Sequence, residues 1–261
     1  MISRKGGVGK TTTSVNLAAA LARRGRRVLV VDLDPNAGAS LSLGLERGRF
    51  GLTVADVLLR DGEPGRGIRE VDENLHLLPA SIDLRSLETR LAHTARRETL
   101  LTDALDGHLE AFDEVFFDCP SSFGLLSQIA VVAAHAFVIP ATPHFLALDG
   151  IEHLVESAQR LARRVGRGAR LLGVVLTGVD YRIRSTRMTM RRIRRRFGAE
   201  VFAVEIRTNV ALAEAPAFGQ TVFEYRPRST GARAYGLLAD EYLLTSTSAR
   251  WVRLENERLV I

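Results

Sequence analysis

A glycine-rich loop near the N-terminus limits what this chain can fold into more than any other feature of the sequence. The loop is Lys5-Gly6-Gly7-Val8-Gly9-Lys10-Thr11-Thr12, and an apolar helical segment follows it directly. Glycines let backbone N–H groups converge on phosphate oxygens, and the N-terminus of the following helix adds its positive dipole end. Lys10 can then reach the β- and γ-phosphates, and the Thr11 hydroxyl can coordinate Mg²⁺. The loop therefore predicts a site for Mg-ATP.

Lysine is confined to this loop. The chain has 36 basic residues, and only Lys5 and Lys10 are lysines. Arginine is a wide planar fork, whereas lysine is a compact point charge on a thin stem. Because the rest of the chain uses arginine, the lysines at these two positions indicate a tight backbone cradle that the wider arginine would not fit. The loop also departs from the general phosphate-loop pattern, because Arg4 stands where that pattern has a glycine.

Short apolar runs alternate with amphipathic stretches along the chain. Strands are predicted at 28–31, 75–78, 115–117, 136–139 and 171–176. A helix is predicted from Thr11 to Arg24, and a loop from Gly62 to Gly67. Only Met1-Ile2-Ser3 and Arg4 precede the glycine-rich loop, where a further strand is expected. Continuous apolar strands are typical of a parallel sheet covered on both faces. The pattern predicts an α/β fold, a doubly wound, mostly parallel sheet with helices on both faces, in a single domain over 1–261.

Composition excludes several classes of protein. Cys119 is the only cysteine, so no internal disulfide can form, and a reducing cytoplasm is the expected setting. The longest apolar stretch, Ile129 to Pro140, contains His135 and is shorter than the roughly 20 residues needed to cross a bilayer. We therefore expect no stable membrane insertion.

Acidic residues stand where two of the predicted strands end. Asp32 and Asp34 follow the strand at 28–31, and Asp118 follows the strand at 115–117. Ligands of open α/β sheets bind at the carboxyl ends of the strands. A carboxylate there can hold a Mg²⁺-bound water or orient an attacking water.

The loop and the acidic segments together resemble the ParA/MinD family of deviant Walker A ATPases, and within it the short Soj-like ParA proteins. Asp32-Leu33-Asp34-Pro35 is similar to switch I of that family, and Asp118-Cys119-Pro120 to its Walker B and switch II segment. The resemblance implies ATP hydrolysis, with Lys5, Lys10 and Asp34 as catalytic residues. It also implies that Lys5 reaches across a dimer interface to the partner's ATP.

The same resemblance implies the rest of the nucleotide site. Thr11 and Asp118 would hold Mg²⁺, Asp118 through a water. The segment Asn209 to Pro216 is similar to the loop that wraps adenine in ParA proteins, and it implies contacts from Asn209, Ala215 and Pro216. The predicted ATP contacts are therefore Lys5, Gly6, Gly7, Val8, Gly9, Lys10, Thr11, Thr12, Asn209, Ala215 and Pro216.

Three short segments depart from the family pattern. Asn36-Ala37-Gly38 replaces a Gln-Gly-Asn triplet, Ser121 replaces a second proline, and Arg207-Thr208 replaces Pro-Arg. These changes lie in or near the switch segments, so a binding module that has lost hydrolysis is an alternative.

One segment carries the excess positive charge. Eight arginines and no acid lie between Arg182 and Arg196, and the rest of the chain has a net charge of −2. On a helix, Met190, Ile193 and Phe197 would form a narrow apolar face opposite a broad cationic one. Phosphate contacts on DNA, without base recognition, are the functional interpretation, and a solvated helix is the alternative. The predicted DNA contacts are Arg184, Arg187, Arg191, Arg192, Arg194 and Arg195.

Two readings of the function follow from the resemblance. The first is a ParA-type ATPase that dimerises with ATP, binds nucleoid DNA without sequence preference and positions a chromosome, plasmid or other cargo with a ParB-like partner. It would be cytoplasmic and nucleoid-associated. The second is a MinD-like ATPase at the membrane, for which the tail from about residue 245, with its apolar residues but balanced charge, is a weak anchor. We expect this tail to pack on the fold instead. The iron–sulfur reductases of the superfamily need two bridging cysteines per subunit, which this chain lacks.

Overall fold

The computed structural model describes residues 1–91 and 96–246. The strands are β1 Val28–Asp32, β2 Arg69–Asp72, β3 Leu75–Leu78, β4 Glu114–Asp118, β5 Ala136–Ala141 and β6 Arg170–Leu176. The helices are α1 Lys10–Ala22, α2 Gly38–Ser42, α3 Val54–Leu59, α4 Pro64–Gly67, α5 Leu84–Arg90, α6 Leu100–Leu105, α7 Leu125–Ala133, α8 Ala147–Val165, α9 Arg184–Phe197, α10 Val210–Glu214, α11 Val222–Tyr225 and α12 Thr230–Ser246. Short 3₁₀ turns lie at Arg97–Thr99, Gly198–Glu200 and Ala215–Phe218.

The strands form a mostly parallel sheet in two parts. One part has the order β2-β3-β1-β4, and the other pairs β5 with β6. Every strand pair is parallel except β2 with β3. The predicted α/β class and mostly parallel sheet are therefore confirmed. All five residues of β1 are buried, because helices cover both of its faces.

The first three residues lie between the two parts of the sheet. The Met1 amine donates to the Phe117 carbonyl of β4 at 2.7 Å, and the Ile2 amide donates to the Val138 carbonyl of β5 at 3.2 Å. Burial lowers the pKa of the Met1 amine. These residues thus bridge β4 and β5 where a further strand was expected, and Arg4 connects them to the glycine-rich loop.

Two apolar clusters pack on opposite faces of the sheet. Leu29 and Val31 point into a cluster with helices α3 and α5 to α9, while Val28 and Val30 point into a second cluster with α1 and α12. This alternation is the period of two that a strand imposes on its side chains. Helix α12 packs along α1, so the phosphate-loop helix is held between the sheet and the last described helix.

Two local predictions differ from the structure. The stretch predicted as a loop contains α4, which begins at Pro64 because proline fits the first turn of a helix. Strand β2 was not predicted, because its residues are polar, alternate in exposure and form no apolar run. The tail proposed to reach a membrane or pack on the fold lies outside the described residues from position 247 onward. Within the described ranges we find no helix with the length and apolar character of a membrane span.

Candidate functional site: the phosphate loop and its surroundings

The glycine-rich loop has a backbone shape that residues with side chains rarely adopt. Gly7 and Gly9 have φ of 72° and 76°, in the left-handed region, which glycine enters without a steric cost. Gly9 is the N-cap of α1, so the loop turns directly into a helix N-terminus, where N–H groups lack intrahelical partners. The loop is therefore a cradle for an anion.

Lys10 lies at the floor of this cradle beside Asp118. Its side chain is 5% exposed, and its Nζ lies 3.8 Å from Asp118 Oδ1. Asp118 also accepts hydrogen bonds from Thr11 Oγ1 and Ser14 Oγ, each at 2.7 Å. The structure thus brings three of the predicted residues together. Ser14 was not predicted, although its hydroxyl lies one helical turn after Lys10.

Asp32 forms a second buried acidic position beside Asp118. The two residues face each other in the register of β1 and β4. Asp32 accepts from the Ser40 amide and hydroxyl, both at 2.8 Å, and from the Asp34 amide at 3.1 Å. Burial, and then the negative charge of Asp118, raise the pKa of Asp32 to about 7. Ser40 was not predicted, and the sequence shows no signal for it.

We expect the protein without nucleotide or Mg²⁺ to lose stability as the pH rises from about 4 to about 7. The pKa of Asp32 is raised from 3.8 to about 7, so the folded state keeps a proton that the unfolded chain has released. The unfolded state then binds fewer protons, and the free energy of unfolding falls with pH. Asp32→Asn cannot ionise and should flatten this dependence. Thermal melts from pH 4.5 to 8 in EDTA test it, and equal slopes for both proteins would contradict it.

Asp34 lies two residues beyond Asp32, the last residue of β1, and Asn36 holds its carboxylate. Its side chain is 8% exposed. Its Oδ1 accepts from the backbone amide and from Nδ2 of Asn36, both at 2.9 Å. Among the described residues, none donates to Asp34 Oδ2, so that oxygen remains able to accept a hydrogen bond from water.

Lys5 and Thr12 complete the predicted phosphate contacts. Lys5 is exposed, and it forms no ion pair within the described part of the chain. Thr12 lies half-buried in the first turn of α1. The structure therefore leaves the Lys5 ammonium facing solvent at the rim of the cradle.

Thr177 ties the phosphate loop to the far side of the sheet. Its Oγ1 donates to the Val8 carbonyl at 2.7 Å, and the bond is buried. A Cβ added at Gly9 would contact the Thr177 side chain at 3.7 Å. Thr177 directly follows β6, and 177–183 lead from there to α9. Sequence reasoning missed this residue.

The residues predicted for adenine lie in two different settings. Asn209 caps α10 by accepting from the Leu212 amide, and it donates Nδ2 to Thr230 Oγ1 at 2.7 Å. It also lines a cavity of about 730 Å³ with Tyr225 and the segment 226–230. Ala215 and Pro216 are not among the residues that line this cavity. Only Asn209 of the three predicted residues therefore reaches it.

Helix α9 presents an exposed arginine surface, as the spacing predicted. Its apolar strip is buried, whereas six of its seven arginines are exposed. Four of these lie on one side of the helix at intervals of three and four residues. Across the described residues, these four form no ion pair, although Arg187 donates to the Tyr181 carbonyl at 2.6 Å. We call them the arginine stripe: Arg184, Arg187, Arg191 and Arg195, with Arg192 exposed beside them.

Three other arginines of the segment are already paired with acids. Arg194, predicted as a DNA contact, binds Glu205 at 2.8 Å and donates to the carbonyls of Phe202 and Ala203. Arg182 pairs with Asp180, and Arg196 with Glu152. The segment contains no acid of its own, but the fold brings acids to it. We therefore leave Arg194 out of the arginine stripe.

The residues present fit Mg-ATP. Backbone N–H groups of the loop and the Lys10 ammonium suit a polyphosphate. The hydroxyl of Thr11 and the carboxylate of Asp118 are hard oxygen donors of the kind that Mg²⁺ prefers, and they lie 2.7 Å apart. The described residues contain no cluster of three or more acid, histidine or cysteine side chains for another metal.

Comparison with known proteins agrees with this geometry. A family model described as an AAA domain matches residues 1–168. The chain is 38% identical over 240 residues to the sporulation initiation inhibitor protein Soj of Bacillus subtilis, covering 92% of this chain and 95% of Soj. It is 40% identical over 247 residues to the chromosome-partitioning ATPase Soj of Thermus thermophilus, covering 93% and 94%.

A solved structure shares the fold over nearly the whole length. The chain matches cobyrinic acid a,c-diamide synthase from Mycobacterium smegmatis, solved with a bound ATP analogue and magnesium. The TM-score is 0.81 at 34% identity, and the match covers 94% of this chain and 93% of that one.

Proposed function

The chain belongs to the ParA/Soj family of P-loop ATPases, and on that premise we propose that it dimerises around ATP and then binds DNA without sequence preference to position a cargo. Its activity is ATP hydrolysis, with Mg²⁺ as the cofactor. One observation carries the proposal. The exposed arginine stripe on α9 is joined to the phosphate loop through the connection 177–183, whose first residue, Thr177, is bonded to Val8.

The residues of the phosphate loop and the nearby aspartates have separate roles in ATP binding and hydrolysis. Loop N–H groups and Lys10 bind the β- and γ-phosphates, and Thr11 with Asp118 holds the cation. Mg²⁺, when bound there, would offset the negative charge of the phosphate oxygens. Asp34 orients the attacking water, because its Oδ2 has no donor among the described residues while Oδ1 is fixed by Asn36. Hydrolysis is expected to be slow and stimulated by a partner.

The exposed position of Lys5 supports dimerisation. An ammonium at the rim of a phosphate cradle, with no acid to pair with in the described chain, suits the phosphates of a second subunit's ATP. Each nucleotide would then be contacted by Lys10 of its own chain and Lys5 of the partner. ATP would thereby hold the two subunits together.

The arginine stripe supports DNA as the surface on which the dimer acts. From Arg184 to Arg195 the stripe extends about 16 Å along α9. A monomer offers only a few phosphate contacts, whereas a dimer doubles them, so the affinity should rise steeply on ATP addition. Arginine contacts to phosphate carry no base information. We propose a nucleoid location and a ParB-like partner on the family's pattern, with the cargo left open between chromosome, plasmid and another assembly.

Lys5 variants test this function directly. In the Asp34→Ala background, which should trap ATP, light scattering should show dimers with ATP and monomers with ADP. Lys5→Ala should stay monomeric and lose the ATP-dependent gain in duplex binding. Lys5→Arg should also stay monomeric, because the guanidinium is wider than the ammonium and does not fit beside the phosphates of the partner's ATP. Arg4→Ala, which removes the neighbouring exposed cation, is the control and should dimerise.

Two outcomes of that experiment would contradict the proposal. Equal affinity for duplex DNA with ATP and with ADP would show that ATP does not control DNA binding. A dimer that forms unchanged with Lys5→Arg would refute the steric argument for lysine at this position.

A further inference from the structure

Asp34 is held by a directional chain of hydrogen bonds that sequence reasoning did not reveal. Asn36 Nδ2 donates to Asp34 Oδ1 at 2.9 Å, and Asn36 Oδ1 accepts from the Arg85 guanidinium at 3.0 Å. We propose that Asn36 and Arg85 are positioning residues for Asp34 in ATP hydrolysis. This inference rests on the proposed role of Asp34 in orienting water.

The chemistry of the three groups fixes the direction of the chain. An ionised carboxylate only accepts hydrogen bonds, and a guanidinium only donates them. The Asn36 amide lies between the two, so it must turn its oxygen to Arg85 and its nitrogen to Asp34. An amide without such partners could present either end. Arg85 thereby selects the amide orientation in which Asn36 donates to Asp34.

The fold anchors both ends of this chain. Arg85 lies in the first turn of α5, and its helix is fixed by Leu84 and Leu87, which are fully buried. The backbone of Asn36 is held separately, because Arg47 donates to its carbonyl at 2.9 Å. The amide is therefore clamped between a rigid helix and the buried carboxylate, although Asn36 and Arg85 are themselves exposed.

The consequence for Asp34 is a single orientation. With Oδ1 taken by two donors from Asn36, Oδ2 is the oxygen left for water. If the amide rotates, Oδ1 loses its side-chain donor and faces an amide oxygen instead, and the carboxylate turns away. Asn36 stands where the family pattern has glutamine, so this chain holds its switch aspartate through a shorter amide and an arginine from α5.

A double-mutant cycle tests the chain of hydrogen bonds from Arg85 through Asn36 to Asp34, which we call the relay. Arg85→Met keeps the length of the side chain and removes its donors, and it should lower kcat roughly 10-fold, as expected for one hydrogen bond to a charged group near solvent. KM and the affinity for a fluorescent ATP analogue should stay within about 2-fold. Arg85→Lys should restore most of kcat. Asn36→Ala should lower kcat at least as much, and adding Arg85→Met to it should have no further effect, because Arg85 acts only through Asn36.

A measurement without nucleotide separates positioning from loss of structure. In ¹H–¹⁵N spectra of the apo protein, the side-chain amide signals of Asn36 should shift with Arg85→Met. They should not move with Arg90→Met, an exposed arginine on the same helix, which should also keep wild-type kcat.

The outcomes distinguish this inference from the proposed function. If Asp34→Ala loses turnover while Arg85→Met keeps the wild-type kcat, the relay is wrong and the role of Asp34 stands. Additive losses in the double variant would likewise overturn the relay. If Asp34→Ala hydrolyses ATP at the wild-type rate, the role of Asp34 fails, and the relay fails with it.

Discussion

Replacing Lys10 with alanine should abolish ATP binding. The Lys10 side chain is nearly buried at the floor of the phosphate cradle, and truncating one partner of a buried charge pair costs roughly 2–5 kcal/mol, or about 30- to 5,000-fold in affinity. Asp34→Ala should instead bind ATP normally and lose turnover by about 100-fold or more, because water is no longer oriented. The two variants thus separate binding from chemistry.

Equilibrium binding of a fluorescent ATP analogue and steady-state phosphate release are the measurements. Arg23→Ala is the control, because it removes a positive charge at the exposed end of the phosphate-loop helix. This variant should bind and hydrolyse ATP as the wild type does. Asp34→Ala turning over at the wild-type rate would show that another group orients the water. If Lys10→Ala binds ATP within a few-fold of the wild-type affinity, the phosphate cradle is not the ATP-binding site.

The second large effect concerns the salt dependence of DNA binding. Each neutralised phosphate contributes about 0.9 to the slope of log affinity against log salt on duplex DNA. Removing Arg191 and Arg195 from both subunits of an ATP-bound dimer removes up to four contacts, so the slope should fall by roughly 2–4. ATP hydrolysis without DNA should barely change, because neither Arg191 nor Arg195 forms a hydrogen bond or ion pair with the phosphate cradle within the described part of the chain.

Arginine pairing supplies a matched control for this experiment. Arg182→Ala with Arg196→Ala removes the same formal charge from the same region. Both guanidiniums are bonded to acids, however, and surface ion pairs contribute little to stability. That variant should keep most of the slope. If the salt slope falls equally in both variants, DNA binding depends on overall charge. If the slope does not fall when Arg191 and Arg195 are removed, the DNA contact lies on another surface.

Much of the nucleotide site is visible in the sequence because its determinants are local. The phosphate cradle needs glycines at left-handed positions and a helix directly behind them, and both conditions lie within Lys5 to Thr12. The buried strands at 28–31, 75–78 and 115–117 are visible because burial on both faces demands continuous apolar residues. Asp32 and Asp118 could be placed at one sheet edge for the same reason. Strand β2 was missed because a polar edge strand carries no such signal.

Only the tertiary structure decided which polar groups meet. Arg194 belongs to an apparently unopposed basic segment, yet Glu205, 11 residues away, pairs with it. Asn36 meets Arg85 across 49 residues, and Val8 meets Thr177 across 169.

The physical reason is that hydrogen bonds and ion pairs between side chains leave no periodic mark on a sequence. Apolar burial selects residue types at regular intervals, so elements and their faces can be predicted from one chain. A polar contact needs only two compatible groups at about 3 Å, and the packing of whole helices and strands on the sheet sets that distance. The sequence by itself therefore determined the phosphate cradle and the sheet, whereas the packed fold decided how Asp34 is held and which arginines of the basic segment pair with acids.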